Sequence, residues 1–431
     1  MSAVMTREPA PAREERAAVL KPISWRWPLL YGVLALVAVV FFALLPEGDR
    51  ATTFQLSRAS DLWVIPNFAV GLKAGNGVLG ALMVALTAYV TWTTAQRRTV
   101  PAWVPVLFGI AFVLAFLVWV GAGRSTVIPL TTLLSGALAL SVPLVFGALS
   151  GVLCERSGIV NIAIEGQLLG GAFLAAVVGS LTSSAYLGLL AAPIAGIVVG
   201  AILAFFAVKY FVDQIIVGVV VNVLVVGLTS FLFSTVLTDN KATWNASQRL
   251  PDLPIPLLSE IPVLGPVLFR QTLLVYIMYA AVIFLQIWIF RSRWGLRMRA
   301  VGEHPKAADT VGIKVNRTRV VNTLIGGAVA GLGGAFFTVG SGLAFGKEMS
   351  GGQGYIALAA MILGKWNPKG AVAAALLFGF SKNLGNVLST IGSSVPSEFL
   401  LMLPYAVTIF AVAGLVGKVR APAAENIPYI K

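Results

Sequence analysis

The chain has very little charge for its length. Only 11% of its 431 residues are Asp, Glu, Lys or Arg, whereas 58% are hydrophobic. Soluble domains carry about 25% charged residues, so this composition excludes an ordinary soluble protein. Apolar runs of about 17 to 25 residues recur from Leu29 to Val416, and each is long enough to cross about 30 Å of hydrocarbon. The runs are continuous rather than alternating, which favours membrane helices over a β-barrel.

Cysteine and histidine are almost absent. The single cysteine, Cys154, excludes an intrachain disulfide and a cysteine-cluster metal site. The single histidine, His304, excludes an ordinary histidine-based metal site, so we expect no metal and no cofactor. A P-loop is also missing, because none of the three Gly-Lys pairs is followed by Ser or Thr. We therefore do not expect an enzyme, and any ATP hydrolysis must occur in a separate subunit.

Acidic residues are outnumbered by basic ones, and the net charge is +14. Eight of the 31 Lys and Arg fall between Arg291 and Arg319, which is flanked by apolar runs. This placement is typical of a cytoplasmic loop under the positive-inside rule and argues against nucleic-acid binding. The polar residues 1–28 predict a disordered cytoplasmic tail, and the first apolar run predicts an uncleaved anchor.

The pattern predicts an all-α fold, a polytopic transmembrane bundle of about 11–12 segments. Segment 354–364 is too short to span, which predicts a broken or re-entrant helix. The blocks 129–237 and 320–416 each hold about four segments, so we expect an inverted repeat with a transport site at its interface. The proline-rich stretch 238–269 predicts an external loop. The predicted segments are 29–45, 77–95, 102–122, 129–152, 158–180, 187–208, 215–237, 272–290, 320–343, 354–364, 370–389 and 398–416.

Polar side chains interrupt two of these apolar runs. In CERSGIVNIAIEG, residues 154–166, a helix beyond Arg156 would place Ser157, Asn161 and Glu165 on one face at intervals of four. A second stripe lies in the apolar run DQIIVGVVVNVLVVGLTS, where Gln214, Gly218, Asn222 and Ser230 are spaced by multiples of four. A carboxylate facing lipid would cost roughly 2.5–3.5 kcal/mol, so the first stripe must face protein or a water-filled cavity.

These stripes have two interpretations. Polar groups inside a membrane can hold helices together, with about 0.6 kcal/mol from each hydrogen bond, and we favour that role for Ser157 and Ser230. For Asn161, Glu165 and Asn222 we favour a substrate pathway. Uncharged hydrogen-bonding groups with few net charges suit a neutral polar solute better than an ion.

The basic loop contains a candidate short helix in RAVGEHPKAADTVGI, residues 299–313. Pro305 suits the first helical turn and Gly312 suits the position after the last. A helix of about seven residues is not stable alone in water, so it makes sense as a docking site for a cytoplasmic partner. A plain turn between two membrane spans is the equal alternative.

Several ordered motifs resemble permease subunits of bacterial ABC importers of the nucleoside type, within the superfamily of simple sugar and branched-chain amino acid permeases. They are ERSGIVNIAIEGQLL, DQIIVGVVVNVL, the 299–313 segment and GQGYIALAAMILGKWNPKGA. The resemblance covers roughly 125–420, which we take as the permease core. Residues 29–124 then form an N-terminal extension with three membrane helices, and 421–431 form a cytoplasmic tail.

The resemblance implies a substrate path that includes Asn161, Glu165, Asn222, Gln353 and Tyr355. It also implies a coupling helix for an ABC ATPase subunit, formed by Glu303, His304, Pro305, Lys306, Asp309 and Gly312. Further implied partners are a second, homologous permease and an extracytoplasmic solute-binding lipoprotein, with the chain in the lipid bilayer of the bacterial inner membrane. His304 stands where Asn is usual, which should weaken capping of the coupling helix.

The favoured function is the permease subunit of an ATP-driven importer of a nucleoside-like solute. A permease for simple sugars or branched-chain amino acids is the first alternative. From another class, an ion-coupled secondary transporter would work without an ATPase partner. A membrane scaffold that transports nothing is less compatible with polar stripes inside the membrane.

Overall fold

The structure, a computed structural model, describes residues 24–48, 50–58, 61–392, 399, 402 and 420–431. Within those residues ten helices are long and apolar enough to cross a membrane, and one shorter apolar helix accompanies them. The polytopic helical bundle is therefore confirmed. The predicted last span, 398–416, lies almost entirely outside the described residues.

Fourteen α-helices are assigned among the described residues. Three of them continue into π-helical turns: α1 through Ala38–Leu44, α6 through Phe205–Lys209 and α7 through Phe233–Leu237. The bounds are α1 Arg26–Val37, α2 Leu72–Ala95, α3 Trp103–Gly121, α4 Leu130–Glu155, α5 Ile164–Leu181, α6 Ala185–Ala204, α7 Gln214–Leu232, α8 Lys241–Trp244, α9 Leu273–Arg291, α10 Arg293–Glu303, α11 Pro305–Thr310, α12 Val315–Gly334, α13 Gln353–Leu363 and α14 Pro368–Thr390.

Short strands occur in the connections between the helices. The first, Ala51–Gln55 (β1), pairs in parallel with Ile128–Pro129 (β3), with Phe54 opposite Ile128. Within the proline-rich stretch Asp252–Pro254 (β4) pairs antiparallel with Arg270–Thr272 (β5). The remaining strand is β2, Phe68–Gly71.

The chain divides into two compact units. The first comprises 1–50 and 71–122, and its described helices α1, α2 and α3 enclose a core that includes Tyr31, Met83 and Phe108. A buried amide supports this core, because Asn76 Nδ2 donates to the Phe42 carbonyl over 2.7 Å. Such a bond satisfies a polar group that would otherwise be costly in an apolar interior.

The second unit comprises 51–70 and 123–431, and α4 is the most buried of its candidate spans. In the most apolar window of α4, 89% of the residues are buried. Glycines bring the neighbouring helices α6 and α12 into backbone contact: a Cβ at Gly196 would lie 1.9 Å from the Gly327 carbonyl oxygen. Small residues permit this close approach in membranes, where dispersion contacts replace hydrophobic burial as the packing force.

The start of α5 and the structure of the basic segment differ from the predictions. Helix α5 begins at Ile164 rather than at 158, because Gly158 adopts a φ of +91° and turns the chain out of the helix that precedes it. The basic segment 291–319 is mostly helical rather than a loop. It contains α10 and α11, and its last residues already belong to α12.

Candidate functional site

The connection between α4 and α5 is a buried, non-helical segment, residues 156–163, held by the polar face of α7. The Val160 N–H donates to Gln214 Oε1 over 2.7 Å, and Asn222 Nδ2 donates to the Ile162 carbonyl over 2.9 Å. A Cβ at Gly218 would lie 2.9 Å from the Ile162 Cβ, so this glycine lets α7 approach the segment. Backbone groups freed from helical bonding are therefore satisfied inside the protein, as a membrane interior requires.

The predicted single stripe of Ser157, Asn161 and Glu165 is wrong, since two of these residues precede α5. Ser157 Oγ donates to the Cys154 carbonyl and closes the end of α4. Asn161 Nδ2 lies 3.0 Å from both Ser150 Oγ and Gln167 Oε1, fully enclosed by protein. The three side chains therefore point to three different sets of partners.

The second stripe fits the structure over most of its length. Gln214, Gly218 and Asn222 all lie on the face of α7 that contacts segment 156–166. Ser230 lies two turns beyond Asn222 on the same helix and is only partly buried. This part of the pattern was predictable because α7 is regular from Gln214 to Leu232.

Glu165 links the start of α5 to the start of α13. Its carboxylate accepts hydrogen bonds from Ser350 Oγ at 2.6 Å, from the Gly352 N–H at 2.8 Å and from the Gly354 N–H at 2.6 Å. The side chain is 7% exposed. A carboxylate at a helix N-terminus satisfies free N–H groups and interacts favourably with the helix dipole. Glu165 therefore holds the broken second-half helix in place.

A contact between α7 and α13 completes the cluster. Asn222 Oδ1 accepts from the Gly166 N–H at 2.8 Å, while its Nδ2 donates to the Tyr355 hydroxyl at 3.2 Å. Tyr355 is 48% exposed, so one part of its ring is held and the other is accessible. Gln353 is buried, and its Oε1 has no hydrogen-bond partner among the described residues. The structure thus brings Glu165 and Asn222 together with Gln353 and Tyr355 at the start of α13.

The end of α4 is anchored to the turn between α13 and α14. Trp366 Nε1 donates to Glu155 Oε2 over 2.6 Å, and Arg156 Nε donates to the Trp366 carbonyl over 2.6 Å. Burial lowers the pKa of Arg156, and the nearby Arg299 cation acts in the same direction. Glu155 and Arg156, although adjacent in sequence, therefore both bind Trp366 and fix the end of α4 to this turn.

Segment 299–313 contains the predicted short helix, α11. Pro305 occupies its first turn, Gly312 follows its end with a φ of +83°, and Ala308 packs on Val301 and Val315 beneath it. His304 does cap the helix, because its Nδ1 accepts from the Ala307 N–H at 3.2 Å. Away from the packed side the helix presents an exposed face with Glu303, His304, Lys306 and Thr310, and Asp309 at its edge.

The C-terminal residues 420–431 connect this helix to the membrane helices. Arg319 on α12, fully buried, donates through Nη1 to the Ile427 carbonyl at 2.8 Å. Asn426 Nδ2 donates to Asp213 Oδ2 at 3.2 Å, and Lys431 Nζ lies 3.4 Å from Asp309 Oδ2. The tail therefore contacts α7, α11 and α12, and we call residues 420–431 the C-terminal strap.

Two carboxylates in and under the strap have shifted pKa values. Hydrogen bonds from the Ile216 N–H and from Asn426 lower the pKa of Asp213, which caps α7. Burial raises the pKa of Glu425, whose carboxyl lies against that of Glu155. The strap therefore contacts one carboxylate that favours its ionised form, Asp213, and contains one that favours its protonated form, Glu425.

Sequence analysis missed the strap, Ser350 and Gln167. Ser350 precedes α13 in a glycine-rich stretch that resembles an ordinary turn. Gln167 follows Glu165 by two residues and could have been noticed as a further amide in an apolar run. No local signal marks the strap, because its contacts are to residues more than a hundred positions away.

These observations define a class of protein: a polytopic membrane protein with two broken helices meeting at a polar cluster, as in transporters. Residues 133–412 match the family described as the permease component of the branched-chain amino acid transport system. The chain belongs to this family, which confirms the resemblance to ABC transporter permease subunits.

Individual relatives agree with this assignment. The chain is 38% identical to the guanosine ABC transporter permease protein NupQ of Bacillus subtilis, over 70% of this chain and 97% of that protein. It is also 38% identical to the nucleoside ABC transporter permease protein NupC of Lactococcus lactis, over 70% and 98%. A putative glucose ABC transporter permease protein, TsgC13 of Haloferax volcanii, is 31% identical over 57% and 74%. No solved structure matches the chain.

Proposed function

We propose that the chain is the permease subunit of an importer that carries nucleosides through the cluster of Glu165, Asn222, Gln353 and Tyr355. The observation that carries the proposal is the Asn222–Tyr355 contact at the start of α13, beside a buried Gln353 oxygen that has no hydrogen-bond partner in the described part of the chain. Relatives named for guanosine and nucleoside transport support the solute class.

The chemistry of the cluster suits a nucleoside. A half-exposed tyrosine ring offers an apolar face with a hydroxyl at its edge. Asparagine and glutamine amides pair with the donor and acceptor edges of a base. Glu165 and Asn161 bind protein groups and fix the non-helical segments before α13 and α5, respectively. Asn222, Gln353 and Tyr355 then contact the solute.

ATP-driven movement enters through the coupling helix. A separate ABC ATPase subunit docks on the exposed face formed by Glu303, His304 and Lys306. The C-terminal strap then links α11 to α7 and α12, so that a displacement at the docking face reaches the polar cluster. Transport follows if the cluster has different affinity for the solute in its outward and inward states.

The remaining assembly follows the ABC pattern. We propose a second, homologous permease, an extracytoplasmic solute-binding lipoprotein and a location in the bacterial inner membrane. The match to the family begins at residue 133, which supports a permease core over 125–420 with residues 29–124 as an added three-helix extension. The cytoplasmic placement of residues 1–28 and of the strap belongs to the same proposal.

Uptake of radiolabelled uridine or guanosine by cells with the complete transporter tests the solute path. Asn222→Ala should abolish most uptake, because it removes the contacts to Gly166, Ile162 and Tyr355 together. Ser230→Ala, a polar truncation on the same helix, is the matched control and should transport normally. Equal uptake in both variants, with equal amounts of assembled complex, would remove Asn222 from the path.

Competition by unlabelled solutes separates the solute classes. Excess nucleoside should block uptake, while ribose and leucine should leave it unchanged. Inhibition by leucine or ribose, but not by excess nucleoside, would support the alternative solute classes within the family. Uptake by the purified chain in an ion gradient, without an ATPase, would instead identify a secondary transporter.

Deletion of residues 304–311 tests the docking face. The variant should insert in the membrane but fail to co-purify with the ATPase. Substitution of the exposed Lys306 by Glu is a milder version and should weaken co-purification without touching the packed side of the helix. Full ATPase retention by the deletion variant would exclude α11 as the docking site.

A further inference from the structure

Helix α9 borders a cavity that the transport function does not use. The cavity has a volume of about 350 Å³ and lies between the second half of α9 and the first turn of α14. Its two cations are Arg291, the last residue of α9, and Lys369 of α14. The rest of its lining recurs every three or four positions and so shares one face of α9: Val282, Ile283, Gln286, Ile287 and Phe290.

One apolar side of the cavity faces out of the protein. Ile283 is 62% exposed and Ile287 is 54% exposed, and only 28% of the most apolar window of α9 is buried. In a membrane, such a face contacts either the acyl chains of lipid or another apolar helix. The polar groups at the end of the face distinguish between these two occupants.

The two cations lie where the span meets water. Arg291 follows Ile283 by eight residues on α9, which corresponds to a rise of about 12 Å. It also opens the basic segment 291–319, which the positive-inside rule assigns to the cytoplasm. Trp288 and Trp294 stack at the same end with ring centroids 5.8 Å apart, and tryptophans concentrate at membrane interfaces. The cavity therefore opens at the level of the lipid headgroups.

The electric field at this end of α9 favours an anion. Arg156 and Arg299 lie over the Phe290 ring, 5.2 and 5.3 Å from its centroid, with Glu303 as a nearby counter-charge. Lys369 occupies the first turn of α14, where a cation interacts unfavourably with the positive end of the helix dipole. An anion bound beside Lys369 interacts favourably both with its ammonium group and with the helix end.

Gln286 lies between the cations and the isoleucines on the same face. Its Oε1 is buried and has no hydrogen-bond partner in the described part of the chain, which is costly for an amide in an apolar setting. A half-turn of the amide places its nitrogen, a donor, at the same point. A phospholipid carries its ester carbonyls between the phosphate and the acyl chains, at the corresponding depth. The cations, the amide and the apolar wall thus follow the order of groups in one lipid.

We propose that this cavity binds an anionic phospholipid whose phosphate lies between Arg291 and Lys369. Gln286 donates to an ester carbonyl, and Ile283 and Ile287 contact an acyl chain. The lipid thereby bridges α9 and α14, two helices of the same unit. None of the cavity's lining residues in the described part of the chain belongs to the solute cluster, so the site is separate from the solute path.

Site-specific crosslinking in the assembled transporter tests the proposal. A diazirine amino acid in place of Ile283 labels the lipid in the cavity, in vesicles with equal amounts of phosphatidylglycerol and phosphatidylcholine. The adducts should contain phosphatidylglycerol in an excess on the order of 25-fold, since each cation near an anionic surface contributes about five-fold. The same diazirine in place of Phe284, which is 61% exposed but outside the cavity lining, is the matched control and should report the bulk ratio of the two lipids.

Substitution of the cations locates the preference. Arg291→Gln and Lys369→Gln should each lower the excess about five-fold, and the double variant should bring it to the bulk ratio. Both side chains are exposed, so these changes leave the fold intact. Lys365→Gln removes an exposed cation from the turn before α14, outside the cavity lining, and should keep the full excess.

Other outcomes would overturn the proposal. Equal lipid ratios at positions 283 and 284, or an equal loss in Lys365→Gln, would show a diffuse surface charge rather than a site. Crosslinks from position 283 to another protein subunit would identify this face as a subunit interface. Displacement of phosphatidylglycerol by inorganic phosphate would identify a free anion site.

Discussion

Glu165 Oε2 accepts a hydrogen bond from the Gly354 N–H at 2.6 Å and so joins the first turns of α5 and α13. Both helices follow a non-helical segment, 156–163 before α5 and 338–352 before α13. Each segment is preceded by a long helix of its own half, α4 or α12. The two breaks therefore occupy equivalent places in the order of helices, and one carboxylate links them.

Removing this carboxylate should destabilise the protein and stop transport. Glu165→Ala leaves the Ser350, Gly352 and Gly354 donors without their acceptor, at about 1–3 kcal/mol for each that stays buried and unpaired. Glu165→Gln keeps one carbonyl oxygen and should lose less. Thermal unfolding of the purified complex, together with uptake, measures both effects. A Glu165→Ala protein with wild-type unfolding temperature would contradict this role.

Glycine at 354 is required by the approach of the two helices. A Cβ there would lie 2.4 Å from the Glu165 backbone nitrogen, which no side-chain rotation can relieve. Gly354→Ala should therefore displace α13 and abolish uptake. Gly346→Ala, where nothing lies within 4 Å of the added Cβ, is the control and should transport normally. Normal uptake by Gly354→Ala would show that the approach is looser than described.

Loosening the C-terminal strap should weaken coupling without removing the solute site. Asn426→Ala removes the bond to the Asp213 carboxylate and the one from the Gln214 N–H. Hydrogen exchange of the 420–431 peptide should then rise, because both bonds hold Asn426 at the start of α7. Ile430→Ala, at a side chain 70% exposed, should leave exchange unchanged. Unchanged exchange in Asn426→Ala would show that these bonds do not hold the strap.

Strap docking should depend on pH through Glu425. Because burial raises its pKa above the usual 4.5, the docked strap binds a proton more tightly than the free one. The resulting stabilisation is complete below pH 4.5 and is lost as pH rises through the raised pKa. Asp213, with a lowered pKa, acts oppositely: its contribution is present above its usual value of 3.8 and is lost as pH falls through the lowered pKa.

A spin label at Ile430→Cys measures this dependence, since the single native cysteine, Cys154, is buried. Label mobility should increase as pH rises through the raised pKa of Glu425. Glu425→Gln should remove that step, because the amide does not titrate. A step that survives in Glu425→Gln would assign it to another group.

Much of the fold was predictable from the sequence because membrane spans depend on length and apolar content alone. Ten predicted spans have counterparts among the described helices, and the short segment 354–364 is α13. The breaks were harder to place. Apolar residues such as Ile159 and Val160 continue the hydrophobic run, yet Gly158 and the amides of α7 hold them out of a helix.

The candidate site was predictable only in part. Asn222 and Tyr355, which the family resemblance assigned to one substrate path, lie in hydrogen-bond contact, and their role in that path stays a prediction. Nothing local indicates that Asn161 and Glu165 face different partners. Helix α10 was missed because basic, weakly apolar segments resemble loops when only membrane hydropathy is considered. The strap is held by long-range bonds to Arg319 and Asp213, which spacing along the chain does not reveal.

The most direct test of the solute path is protection of a cysteine at position 355 in the assembled transporter. Tyr355→Cys should react with a maleimide, and saturating nucleoside should slow that reaction strongly. Ile362→Cys, two turns further along α13 and 38% exposed, serves as the control and should react at the same rate with or without nucleoside. A reaction rate at position 355 that nucleoside leaves unchanged would contradict the account.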